Sequence, residues 1–108
     1  MVATQHDVER YLRDGVPLPS PQIGPVRIFG IECSHPVDFA RMTFAGDAIL
    51  SVKFKADADF SRAEFRGETS FAGSQFTKAA FTGAAFRGGA DFSGTRFAQA
   101  YFWRAFFD

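Results

Sequence analysis

From residue 39 onward one large apolar side chain follows another at steps of four to six residues, with small or polar residues between. The positions are Phe39, Phe44, Leu50, Phe54, Phe60, Phe65, Phe71, Phe76, Phe81, Phe86, Phe92, Phe97, Phe102 and Phe107. Neither ordinary element suits that step. Five residues turn an α-helix through about 500°, so successive rings would drift around it, and an odd step in a strand puts them on opposite faces. A chain that turns a corner once per step keeps every ring inside. Two positions before each ring stands an uncharged and usually small residue, such as Ala58, Ala63, Ala79 or Ala84. The pair reads as strand alternation compressed to one short side, the small residue making room for the large one.

A longer period lies over the short one. Phe39, Phe60, Phe81 and Phe102 are 21 residues apart, as are Phe44, Phe65, Phe86 and Phe107. Four steps therefore close one coil. The six-residue steps recur in phase and enclose Gly46, Gly67 and Gly88, which are expected to relieve a corner through positive φ. Phe54 comes one residue early, with Lys55 at the expected place, so the repeat shifts there and recovers by Phe60.

The first 36 residues follow other rules. Thr4 three residues before Asp7, then Val8, Tyr11 and Leu12 at helical spacing, predict a short amphipathic helix over about residues 5–14, ended by Gly15. Four prolines between residues 17 and 25 predict an extended connector over 15–25, and Val26 to Ile31 a first strand or irregular cap. The expected division is an N-terminal helix, connector and cap over 1–36, then coils over 37–108.

Ala58-Asp59-Phe60-Ser61-Arg62 and Ala90-Asp91-Phe92-Ser93-Gly94, with Ala84-Ala85-Phe86-Arg87-Gly88 as a looser copy, resemble the unit of the pentapeptide-repeat family, [STAV][DN][LF][STR]G. The resemblance covers about two thirds of the chain. It implies an all-β, right-handed quadrilateral β-helix, to which the residues add the short N-terminal helical cap. Each coil should rise by roughly 4.8 Å.

Fifteen Phe against two Tyr and one Trp is what the repeat demands. Twelve basic residues balance twelve acidic ones, which disfavours a polybasic nucleic-acid binder. Cys33 is the single cysteine, so no internal disulfide can form, and a reducing cytoplasm is expected. Apolar runs are too short for a transmembrane segment, and residues 1–14 are too charged for a signal peptide. Catalytic chemistry is thinly represented. His6 lies in the helix, and Cys33-x-His35 lacks the four ligands of a structural zinc and any third group to orient a nucleophile. Neither an enzyme, a metal nor a cofactor is expected.

What remains is surface. A solenoid end leaves backbone unpaired and an apolar section open. The helix is the expected lid at one end. At the other, Tyr101, Trp103 and Phe106 stand where earlier repeats carry Asp59, Ser61 and Glu64, so a protein partner is expected there, and first of all an end-to-end homodimer. Arg41, Arg62 and Arg104 share one column and Arg66 and Arg87 another. They form either an anion-binding edge or routine pairs with Asp59, Glu64, Glu68 and Asp91. The family resemblance also raises mimicry of DNA toward gyrase, as in quinolone-resistance pentapeptide proteins. Residues 39–108 hold nine Lys and Arg against seven Asp and Glu, a net of +2, which argues against it.

Overall fold

The structure, a computed structural model, describes residues 1–108. Helix α1 spans Gln5–Asp14. Strands β1 (Gln22–Ile23), β2 (Val26–Cys33) and β3 (Val37–Asp38) build the first coil, and β4 (Thr43–Phe44) and β5 (Ala48–Asp59) the second. The third holds β6 (Glu64–Phe65), β7 (Thr69–Ser70) and β8 (Gln75–Ala80). The fourth holds β9 (Ala85–Phe86), β10 (Ala90–Asp91) and β11 (Arg96–Tyr101), and β12 (Phe106–Phe107) opens a fifth. All pairings are parallel. One ladder runs β1-β4-β6-β9-β12 and the other β10-β7-β5-β8-β11, with β2 and β3 also on β5. The first ladder keeps the 21-residue register throughout, Gln22 on Thr43, Thr43 on Glu64, Glu64 on Ala85 and Ala85 on Phe106.

The coils begin upstream of the Phe lattice. Ile23 lies beneath Phe44, Ile28 beneath Leu50 and Cys33 beneath Phe54, so residues 22–36 already form coil inside the stretch expected to be connector and cap. The expected division before Val37 marks where the lattice starts and not where the ladder starts.

Inside, the rings stack along the axis and meet edge-on across it. Phe39, Phe60, Phe81 and Phe102 form one column with centroids 5.1, 5.0 and 5.1 Å apart and planes within 7°. Phe44, Phe65, Phe86 and Phe107 form a second at 4.6, 4.8 and 4.9 Å. Between columns the contacts are T-shaped, as Phe60 to Phe71 at 5.3 Å and 70°. Both geometries suit the ring quadrupole. Phe39 to Phe86 and Leu50 are all buried, while Phe92, Phe97 and Phe102 are only half-covered and Phe107 is 50% exposed. The last four of the spine residues are the least covered, because no coil lies over them.

Two corners of each regular coil are four-residue turns closed on a Phe carbonyl. Ala63 N donates to Phe60 O at 3.1 Å and Ser74 N to Phe71 O at 2.9 Å. The third residue of each has the positive φ that marks a type II turn, Arg62 at 59° and Gly73 at 75°. The Asp before the Phe secures the turn, since Asp59 Oδ1 accepts Ser61 N and Asp91 Oδ1 accepts Ser93 N. The in-phase glycines serve another purpose than expected. Gly46, Gly67 and Gly88 do not have positive φ. A Cβ on Gly67 would stand 2.7 Å from the Gly46 carbonyl carbon, and one on Gly88 would overlap the Gly67 carbonyl. These corners are bare because the coils touch there.

The helix is capped at both ends. Asp7 N donates to Thr4 Oγ1 at 3.3 Å while Thr4 N donates to Asp7 Oδ2 at 2.8 Å, and Gly15 closes the helix at φ 70°. Val8 and Leu12 are buried, the Tyr11 ring stands edge-on to Phe39 at 5.4 Å, and Tyr11 Oη accepts Asp38 N at 2.6 Å. The helix covers the start of the Phe39 column.

Candidate interaction site at the last coil

The last coil gathers apolar surface that the earlier ones hide. Tyr101 (47% exposed), Trp103 (68%) and Phe106 (50%) project from its outer side, and Phe107 adds the open head of its column. In register they succeed Ala80, Thr82 and Ala85, small residues that leave the preceding turn of the coil smooth. Lys78 lies 5.8 Å from the Tyr101 centroid, Arg87 5.7 Å from Phe106 and Arg104 4.6 Å from Trp103. Each cation meets the negative face of a ring, so the patch is apolar with a basic rim. Strands β10, β11 and β12 have ladder partners on one side only. The end thus offers both ring surface and free peptide groups. Phe92, Phe97, Phe102 and Phe107 belong to this surface as well, which the lattice alone did not reveal because it treats every coil alike.

The five arginines do not form one edge. Arg41, Arg62 and Arg104 hold the left-handed turn position of one corner, at φ 64°, 59° and 57°, with Gly83 in the same column at 70°. None has a carboxylate within 4.0 Å. Arg66 and Arg87 belong to another corner and share Glu64, their Nε atoms 3.1 and 3.3 Å from its Oε1. The hydrogen bond from Arg66, then the charges of Arg66 and Arg87, hold the Glu64 carboxyl below its usual range. Of the four carboxylates expected to neutralise the arginines, only Glu64 does so. Asp59 and Asp91 are engaged with the backbone of their own turns.

Cys33 and His35 join the helix to the first coil. The Cys33 thiol is fully buried, and burial pushes its pKa up. Its Sγ lies 3.7 Å from His35 Nε2, which is 3.2 Å from the Leu12 carbonyl oxygen. A buried thiol held in its protonated form is a weak nucleophile. No helix is long and apolar enough to cross a membrane.

A family model described as pentapeptide repeats (9 copies) matches residues 49–94. No curated protein and no solved structure matches the chain. The matched stretch is the regular part of the coil, so residues 49–94 are similar to pentapeptide repeats, and the same turns, columns and ladders continue on either side of it, consistent with a pentapeptide-repeat protein.

Proposed function

We propose that the protein is a non-enzymatic binding module of the reducing cytoplasm whose last coil docks a protein partner, in the first place a second copy of itself. The reading rests on one observation: four Phe columns reach the last coil uncovered, and Tyr101, Trp103 and Phe106 enlarge the apolar surface there. A contiguous exposed apolar patch on an open ladder is a surface for association. A second copy supplies matching columns and matching free peptide groups, because a two-fold contact sets the same patch on itself.

Light scattering over a concentration series tests this with the parent chain and with a variant carrying Trp103→Ser and Phe106→Ser. The expected result is a dimeric parent and a folded monomeric variant. A parent that stays monomeric throughout would remove self-association from the reading. Inhibition of gyrase supercoiling at micromolar protein would replace the reading with mimicry of DNA.

A further inference from the structure

The second coil breaks the repeat, and the break leaves a basic groove. The first and third coils carry a positive-φ glycine at this corner, Gly30 (76°) and Gly73 (75°), whereas the second has none between Leu50 and Phe54 and is one residue shorter there. That shorter step brings Phe54 early, and it still enters its column, stacked on Phe76 at 4.8 Å. The missing residue is restored just beyond, where Lys55 and Ala56 lie opposite Thr77 alone. With Phe54 in the inward slot, both of its neighbours, Lys53 and Lys55, are exposed on the same side. Lys53 pairs in register with Gln75, and Gln75 with Arg96. These side chains and Thr77 line a depression of about 280 Å³.

Charge on this groove is only partly compensated, by Glu32, which stands in register beside Lys53. Lys55 is bound to Glu32 at 2.5 Å, but Lys53 and Arg96 have no carboxylate within 4.0 Å. We propose that the groove binds a phosphate group, either the free ion or the monoester of a small molecule. Two coil spacings separate Lys53 from Arg96, about 10 Å at the backbone. Long flexible side chains close that gap onto a single dianion, with the Gln75 amide beneath it as a neutral donor. A guanidinium on one flank matches the geometry of phosphate oxygens, and ammonium groups on the other supply point charge. The anion also relieves the repulsion between Lys53 and Arg96, the two cations of the groove without an ion pair.

The test is a two-dimensional NMR titration of the full chain at constant ionic strength, with inorganic phosphate and with phenyl phosphate. Saturable shifts confined to Lys53, Lys55, Gln75 and Arg96 are expected. Lys53→Gln with Arg96→Gln should weaken binding at least about tenfold, whereas Arg62→Gln, an unpaired cation on another corner, should leave it unchanged. Tighter binding of phenyl phosphate identifies an ester as the occupant, and tighter binding of inorganic phosphate the free ion. Shifts that never saturate, or an equal loss in Arg62→Gln, would overturn the site and reduce it to diffuse charge screening. Unaltered melting of both variants confirms that binding, and not folding, is being read.

Discussion

Each residue type in the coil has one mechanical task, and the tasks fail differently. Phe81 is buried, stacks on Phe60 and Phe102 at 5.0 and 5.1 Å, and meets Phe71 and Phe92 edge-on. Phe81→Ala should therefore cost about 3–5 kcal/mol in denaturant melts, because it removes ring contacts in two directions and leaves a cavity. A loss below about 1 kcal/mol would contradict the stacked core. Gly67 fails by overlap. Its Cβ would lie 2.7 Å from the backbone of the coil below, so Gly67→Ala should force coils two and three apart and cost at least about 1–3 kcal/mol. Arg62 is the contrasting case, a residue at φ 59° whose side chain makes no ion pair. Its backbone is strained where the Gly83 backbone is not.

At the scale of elements, the helix and the lattice were both legible in the sequence, because local chemistry alone decides them. Thr4, Asp7 and Gly15 carry the capping of α1, and a 21-residue recurrence of Phe admits few other architectures. The first coil was harder to see, since Ile23, Ile28 and Cys33 fill lattice sites with different residues and only pairing with β4 and β5 reveals them. The role of Gly46, Gly67 and Gly88 was hidden for a related reason. Close approach between coils is a tertiary fact, whereas positive φ is a local one. Pairing of the arginines was equally illegible, because it depends on how far side chains reach across a corner. Glu64 bridges two coils through Arg66 and Arg87, and its carboxyl is held below the ordinary value of 4.5. A depressed carboxyl stabilises the fold above its unfolded pKa and loses that contribution as pH falls through the folded one. Thermal stability should thus hold level from pH 7 to about 5 and decline below about 4.5, less steeply in Glu64→Gln than in the parent. An identical decline in both proteins would show that the bridge adds nothing to the stability of the coil.

At the scale of the whole chain, residues 1–108 form a solenoid whose first and last coils are covered unequally. One end is closed by α1, with Tyr11 on Phe39 and Val8 and Leu12 buried. The other presents Phe107, Trp103 and the free edges of β10, β11 and β12. In a repeat protein the end coil has only one neighbour to stabilise it, so the last coil should open most readily in isolation. Association through that end would supply the missing neighbour. Hydrogen exchange followed residue by residue across a range of protein concentrations tests this most directly. If association covers that end, amides of β11 and β12 without a ladder partner exchange more slowly as concentration rises, while those of β1 to β8 do not change. Exchange independent of concentration throughout, or protection that appears on the sides of the coil and not at its last turn, would contradict it.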